Sequence, residues 1–135
     1  DYSKLIPDPT IVTFKGLVSR DAAIEHMLEA DIFISLSKGE GMPIAVLEAM
    51  YAGCFMILST IPPHIEVAPP SERCLFVDLA SSDEIVNSLN YVRDNIQDIR
   101  CSSNISKEHS VNNFSVQNML DGYKKVYDSL HKDNI

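Results

Sequence analysis

Basic residues are scarce in this 135-residue chain, because 11 lysines and arginines stand against 19 aspartates and glutamates, a net charge of −8. Nucleic acids and anionic membrane surfaces bind basic protein faces, so this balance argues against both as partners. Long hydrophobic runs are absent too, and no stretch reaches the roughly 20 apolar residues that span a bilayer. The remaining composition is that of an ordinary globular protein, and the length suits one domain with its own core.

Cysteine is rare and odd in number. Cys54, Cys74 and Cys101 show no C-x-x-C spacing, and the first two lie in or beside apolar runs. This pattern favours buried free thiols in a reducing compartment over a disulfide or a metal role. The first residues also show no basic segment followed by a hydrophobic stretch, the pattern of a secretory signal. We therefore expect a cytoplasmic protein.

Short β-prone runs alternate with helical patterns along the chain. Ser19 and Ser81 are expected to cap helices, and helical periodicity is clearest at 82–100 and in a closing helix at about 115–131. The alternation predicts one α/β domain over residues 1–135, with a parallel sheet of about four or more strands and helices on both faces. The predicted strands are residues 11–14, 32–35, 55–58 and 74–77.

The rest of the chain is organised around the segment from Ser37 to Gly53. Pro43 is expected to open a helix, because its fixed φ suits the first helical position and its missing N–H costs nothing there. Gly53 is expected to close that helix in the left-handed conformation. Glu48 is the single charge of this otherwise apolar helix, a composition that indicates burial. A buried carboxylate needs a partner or a ligand, and Glu40 lies eight residues before it.

The loop before this helix has the composition of an anion site. It follows a predicted strand and precedes a helix N-terminus, where free N–H groups and the helix dipole favour a phosphate. Gly39 and Gly41 would let the backbone approach the anion closely. Glu40 and Glu48, on the order of 10 Å apart along the chain's helical rise, could each accept hydrogen bonds from hydroxyls. A nucleotide-sugar, with ribose, diphosphate and sugar in sequence, matches that arrangement.

From the residues alone, other interpretations of these side chains stay open. Glu40 could be a solvated loop residue, and Glu48 could be held by backbone or by a lysine or arginine. A hydrolase pair of carboxylates is disfavoured, because nothing indicates an open sugar cleft between the two within one small domain. Lys38 could equally be a solvated surface lysine.

The central segment resembles a known family signature. Residues 37–53 read S-K-G-E-G-M-P-I-A-V-L-E-A-M-Y-A-G, which is similar to the E-x7-E motif of retaining, GT-B-fold, nucleotide-sugar-dependent glycosyltransferases (glycosyltransferases group 1). Nearly the whole chain takes part in the similarity. Further segments that resemble the family in the same order are residues 12–16, 29–31, 61–66, 74–78 and 114–130. Within 61–66, His64 stands where the family has variable loop residues, so the resemblance implies a histidine at the surface.

The resemblance implies that the chain is the C-terminal, Rossmann-like domain of such an enzyme, which binds the nucleotide-diphospho-sugar donor. It implies that Glu40, the expected catalytic residue, contacts hydroxyls of the transferred sugar and that Glu48 contacts the ribose. Transfer would proceed with retention and without a cofactor or an obligatory metal. The protein would act by positioning the donor and stabilising the leaving diphosphate.

Backbone groups of the loop complete the implied donor site. Amides that follow Gly41 would lie against the sugar and the diphosphate, and Pro43 has no N–H to offer. The other expected donor-binding residues are Lys38, Gly39, Gly41, Met42, Ile44, Ala45 and Glu66.

The resemblance also implies what is missing. The family's first βα unit, with basic residues that grip the diphosphate, and its N-terminal acceptor domain would lie upstream of residue 1. We therefore expect the isolated chain to be inactive, with that N-terminal domain as its partner and with peripheral membrane association only through the missing half. The alternatives are the related domain of a GT-B nucleotide-sugar epimerase and a non-catalytic α/β interaction module.

Overall fold

A three-stranded parallel sheet forms the centre of the computed structural model, which describes residue 8 and residues 10–132. Both ladders are parallel, so the carboxyl ends of the strands lie at one end of the sheet. The parallel α/β architecture expected from the sequence is confirmed. The strands, in their spatial order, are β1 (Ile32–Ser35), β2 (Phe55–Ser59) and β3 (Cys74–Val77).

Seven α-helices and one 3₁₀ turn surround the sheet in the described residues. Ser19 caps the first helix by accepting from the Ala22 N–H at 3.2 Å, and Ser81 caps the fourth by accepting from the Glu84 N–H at 3.3 Å, both as predicted. The helices are α1 (Arg20–Glu29), α2 (Ile44–Ala52), α3 (Pro62–Val67), α4 (Ser82–Asp94), α5 (Ile96–Cys101), α6 (Ser103–Phe114) and α7 (Val116–Lys132), and the 3₁₀ turn is Ser71–Arg73.

The predicted strand at residues 11–14 is wrong. These residues take no strand conformation, and the side chains of Ile11, Val12 and Phe14 are exposed. A short β-prone segment becomes a strand when a neighbour supplies its backbone hydrogen bonds, and none of the three described strands pairs with this one. The described part of the sheet therefore has three strands instead of the four or more expected.

The core lies on both faces of β2, whose five residues are all buried. On one face Met56 and Leu58 pack with residues of α2. On the other face Phe55 and Ile57 pack with residues of α4 and α5, such as Val92. A parallel strand covered on both faces is a continuous apolar run, and the expectation of helices on both faces is confirmed.

The helix predicted over 82–100 is interrupted at Asn95. This residue leaves the helical region, with φ −116° and ψ 18°, and its side-chain amide donates to the Tyr91 carbonyl at 2.8 Å. Asparagine competes with the helix by hydrogen bonding to nearby backbone. The apolar periodicity continues across the break, so periodicity alone could not locate it.

Arg73 is a fully buried cation that ties together three parts of the fold. Its guanidinium donates to the Gly53 carbonyl at 2.8 Å, to the Ile99 carbonyl at 2.6 Å and to the hydroxyls of Ser102 and Ser106, each at 3.1 Å. Desolvation lowers its pKa from the ordinary arginine value. The carbonyls lie at the end of α2 and in α5, so Arg73 fixes both against the start of β3.

The three cysteines are free thiols, as expected, and Cys54 and Cys74 are buried while Cys101 is exposed. Burial raises the pKa of the Cys54 thiol to about 11 and that of Cys74 to about 12. Both thiols are therefore inert at neutral pH.

The closing helix α7 has a broad apolar face that is not part of the core. Side chains on this face, Tyr123 and Tyr127 among them, are more than half exposed. Over residues 10–132, no helix is long and apolar enough to cross a lipid bilayer.

Candidate functional site

The carboxyl ends of β1 and β2 each finish in a serine and are followed by a loop or turn that enters a helix. Ser35 ends β1 and leads into the loop 36–43, which enters α2. Ser59 ends β2 and leads through Ile61 into α3. Ligands of open parallel sheets bind at this end, and the predicted loop is therefore at the expected place in the fold.

The N-terminus of α2 is a tight turn at Pro43. Pro43 is buried at the N-cap, and the Ile44 N–H donates to the Met42 carbonyl at 2.9 Å. The Ile44 amide, an expected phosphate donor, is thus already used within the turn. In the described residues, the amides of Met42 and Ala45 make no hydrogen bond within the protein. The helix ends as predicted, with Gly53 in the left-handed conformation at φ 91°.

The expectation that α2 is buried all round is wrong. One face, with Val46, Ala49 and Met50, is buried against the sheet, whereas Ile44 and Tyr51 are more than half exposed. A helix on the outside of a sheet buries one stripe. The apolar residues of α2 that lie outside this buried stripe are partly or fully exposed to solvent.

Glu48 has a basic partner. Its Oε1 accepts from Arg20 Nη2 at 2.6 Å and from Arg20 Nε at 2.9 Å, and its side chain is 21% exposed. Arg20 is the first residue of α1, and its side chain is 76% exposed. The sequence left open whether Glu48 is held by backbone groups or by a lysine or arginine. In the structure its partner is an arginine.

The Arg20–Glu48 pair borders a cleft between α1, α2 and α6. The cleft has a volume of about 370 Å³. Its walls are largely apolar, and they include Ile24, Leu47 and Phe114. A cleft of this volume lies within the size range of small-molecule sites, and the Arg20–Glu48 pair places charge at its edge.

Glu40 lies on the other side of the loop, against His64. Glu40 Oε1 is 3.5 Å from His64 Nε2, and the Glu40 side chain is 26% exposed. His64 itself is fully buried, so the expectation of a surface histidine is wrong. His64 is the third residue of the short helix α3, and its ring is turned back toward the ends of β1 and β2.

Hydroxyls surround the His64 ring. Nδ1 is 3.1 Å from Ser59 Oγ and 3.1 Å from the Ser59 carbonyl oxygen, and Nε2 is 3.5 Å from Ser35 Oγ. Ser59 Oγ also donates to the Ser37 carbonyl at 2.6 Å. The contact between Glu40 and His64 therefore lies on a buried polar network at the end of the sheet.

The remaining predicted site residues are dispersed over the same end of the molecule. Lys38, Gly39, Gly41 and Met42 lie in the loop, where Met42 is more than half exposed, and Glu66 is exposed on α3. Lys38 forms no ion pair with any residue that the structure describes. Glu40 and Glu48 have separate partners and share no hydrogen bond.

Sequence reasoning missed two residues that touch the carboxylates. Arg20 directly follows the capping Ser19 and is therefore at the start of α1. Helices begin at the ligand end of such a sheet, so this position could have predicted that Arg20 lies near the site. His64 gave a weaker signal, because it stands at a loop position that varies in the family its segment resembles. Within residues 10–132, no group of three or more histidine, cysteine, aspartate or glutamate side chains could hold a metal ion.

Comparison with known proteins identifies relatives of one kind. The family model for glycosyl transferases group 1 matches residues 9–107. The GDP-mannose:cellobiosyl-diphosphopolyprenol alpha-mannosyltransferase of Xanthomonas oryzae pv. oryzae is 35% identical over 83 residues, 59% of this chain and 22% of that protein. The UDP-Gal:alpha-D-GlcNAc-diphosphoundecaprenol alpha-1,3-galactosyltransferase of Escherichia coli is 31% identical over 109 residues, 77% of this chain and 27% of that protein.

A third relative extends the match. The O-antigen biosynthesis glycosyltransferase WclY of Escherichia coli is 26% identical over 115 residues, 84% of this chain and 31% of that protein. The chain thus spans less than a third of the length of each of these curated relatives. No solved structure gives a significant match. The family match covers most of the chain and confirms the family expected from the sequence: the chain belongs to the group 1 glycosyltransferases.

Proposed function

We propose that this chain is the donor-binding part of a retaining glycosyltransferase that transfers a sugar from a nucleotide-diphospho-sugar to a lipid-linked or glycan acceptor. Family membership supports the reaction class. The names of two relatives specify GDP-mannose or UDP-galactose as donor and a polyprenyl diphosphate glycan as acceptor. We propose the same chemical class of donor and acceptor here. The enzyme would then act at the cytoplasmic side of a membrane.

The observation that carries the proposal is the placement of two acidic side chains on either side of one helix N-terminus. Glu40 precedes α2 at the carboxyl end of β1, and Glu48 lies in its second turn beside a cleft. A diphosphate at the start of α2 would meet the helix dipole and the amides of Met42 and Ala45. No cation of the described loop other than Lys38 is available there, so the anion depends mainly on backbone N–H groups.

In this proposal, the two carboxylates contact different parts of one donor molecule. Glu40 accepts from hydroxyls of the transferred sugar, close to the reacting carbon, and is the proposed catalytic residue. Glu48 accepts from the ribose, using Oε2 while Arg20 occupies Oε1. Gly39 and Gly41 leave room for the ligand, since a Cβ built on either glycine meets no atom within 4 Å. Glu66, exposed on α3, is a further proposed donor contact.

Calorimetric titration of the chain with GDP, UDP, GDP-mannose and UDP-galactose tests this proposal. We expect binding of at least one nucleotide, and a loss of roughly tenfold or more in affinity for E48Q, because hydrogen bonds to a charged acceptor contribute about 1.5–3 kcal/mol. The matched control is E108Q, which changes an exposed glutamate of α6. Failure of every ligand to bind the folded chain would favour a non-catalytic module.

We also propose that the isolated chain binds donor without transferring it. Bound donor with no hydrolysis or transfer in a coupled assay is the expected result. Turnover by the chain alone would show that the acceptor domain is not required.

A further inference from the structure

The polar network around His64 restricts where its protons lie. Ser59 has one hydroxyl hydrogen, and at 2.6 Å it donates that hydrogen to the Ser37 carbonyl, which can only accept. Ser59 Oγ can therefore offer only a lone pair to His64. The Ser59 carbonyl is likewise an acceptor. Both groups at 3.1 Å from Nδ1 are thus acceptors, and Nδ1 must carry a hydrogen.

This tautomer has a consequence at the other ring nitrogen. In a neutral imidazole with hydrogen on Nδ1, Nε2 presents a lone pair. That lone pair would face Glu40 Oε1 at 3.5 Å, and two acceptors that face each other in a partly buried site repel each other. One further proton, on Nε2 or on the carboxyl group, removes the repulsion and turns the contact into a hydrogen bond.

We infer that His64 is a positioning residue for Glu40, which holds the Glu40 carboxyl group through a proton shared between Nε2 and Oε1. This inference rests on the proposed function, in which Glu40 contacts the transferred sugar. His64 occupies Oε1 from the buried side and leaves Oε2 as the acceptor for sugar hydroxyls. Ser59 fixes the ring at Nδ1, so the orientation of Glu40 is set by the end of β2.

The surroundings of His64 contain few competing charges. Among the described residues, Glu40 is the titratable side chain within ion-pair distance of the ring, and the other polar contacts of the ring come from Ser35 on β1 and Ser59 on β2. Glu66, on the same short helix, is exposed. A competing arrangement involves Ser35, whose hydroxyl oxygen lies 3.5 Å from Nε2. If this hydroxyl donated to Nε2, His64 would form no hydrogen bond with Glu40.

Nitrogen-15 NMR of the His64 ring distinguishes these arrangements without any ligand. In the labelled chain at neutral pH we expect a proton on Nδ1, and an Nε2 signal that changes when Glu40 is replaced in E40Q. The side-chain amide that E40Q introduces can itself donate, so the ring should then become a neutral imidazole with hydrogen on Nδ1. A bare Nδ1, or an Nε2 signal identical in the chain and in E40Q, would overturn the inference.

A ligand comparison shows whether the contact matters for the sugar. We expect H64L to lower affinity for GDP-mannose or UDP-galactose by roughly tenfold, the size of one hydrogen bond to a charged group, while the affinity for GDP or UDP changes less than about twofold. H64Q, whose amide can donate to Glu40, should recover part of the loss. The control is H26L, which changes an exposed histidine of α1. Equal losses for sugar-bearing and sugar-free ligands would contradict a positioning role.

The test of the proposed function and the test of the role of His64 can fail independently of each other. If no nucleotide binds the folded chain, the proposed function is wrong, and the NMR result still decides whether His64 holds Glu40. If H64L does not fold, which circular dichroism would show, the NMR comparison of the chain with E40Q stands as the deciding measurement.

Discussion

Glu40 and Glu48 are the same residue type on either side of one helix N-terminus, yet their partners differ in almost every respect. Glu40 contacts His64, which is fully buried and comes from the helix after β2. Glu48 contacts Arg20, whose side chain is 76% exposed and comes from α1. Glu40 thus contacts a side chain that is buried at the end of the sheet, whereas Glu48 contacts a side chain at the surface.

The difference indicates how each carboxylate would respond to a ligand. In the proposed arrangement, a buried histidine fixed by serines would hold Glu40 in advance where the sugar lies, which would lower the cost of binding and of reaching the transition state. An exposed arginine is mobile and screened by salt. If Glu48 contacts the ribose, as we propose, it would exchange or share this partner when the donor binds.

The largest expected effect concerns the scaffold at the C-terminal end of α2, the helix that carries Glu48. R73M should destabilise the fold by about 3 kcal/mol, because the buried carbonyls of Gly53 and Ile99 lose their donor and unsatisfied buried groups cost about 1–3 kcal/mol each. Urea denaturation measures this change. The control R93M removes an exposed arginine and should shift stability by less than about 0.5 kcal/mol. Equal effects of the two variants would show that the buried guanidinium does not organise the end of α2.

A smaller effect is expected at the exposed pair. A double-mutant cycle with R20Q and E48Q should give a coupling of about 0.5 kcal/mol in the free energy of unfolding, the usual size for a surface pair. Added salt should reduce this coupling. A coupling above about 2 kcal/mol, or one insensitive to salt, would mean that Arg20 and Glu48 form a structural pair and would remove the contrast with Glu40.

The smallest effect is a pH dependence at a second exposed pair. The Arg100 guanidinium donates to both oxygens of Asp31, at 2.8 and 2.7 Å, and this hydrogen bonding holds the pKa of Asp31 below its usual value. A carboxyl group whose pKa is lower in the folded state stabilises the fold above its unfolded pKa, and that contribution is lost as the pH falls through the folded value. D31N should therefore be less stable than the chain at neutral pH, and the gap should close in acid.

Denaturation curves for the chain and D31N at several pH values measure that gap. A gap that stays constant from neutral to acid pH would show that the Asp31–Arg100 contact adds nothing to stability. The same series on E48Q then tells whether the Arg20–Glu48 pair behaves like this surface pair.

The fold was predictable where local chemistry and tertiary structure agree. Gly53 ends α2 as expected because a left-handed residue is needed there, and Ser19 and Ser81 cap helices as expected because their hydroxyls satisfy free N–H groups. Residues 11–14 were mispredicted as a strand because strand formation depends on a neighbour that local composition does not reveal. Asn95 interrupts a helix whose apolar periodicity continues across it.

The candidate site was predictable in its acidic residues and not in their partners. Glu40 and Glu48 stand out in the sequence by their contrast with glycine and apolar neighbours. Arg20 and His64 lie 28 residues before Glu48 and 24 residues after Glu40 in the chain, and only the packing of α1 and α3 brings them close. His64 is buried against the serines that end β1 and β2, a tertiary feature without a local signature.

The central claim is that Glu40 lies at the sugar and Glu48 at the ribose of one bound donor. Titrating the chain, E40Q and E48Q with GDP-mannose and GDP, and with UDP-galactose and UDP, tests it most directly. The predicted result is that E40Q weakens binding of the sugar-bearing ligand alone, whereas E48Q weakens both members of a pair by a similar factor. If E40Q weakened the nucleoside diphosphate as much as the nucleotide-sugar, or if E48Q left both unchanged, the assignment of the two carboxylates would be contradicted.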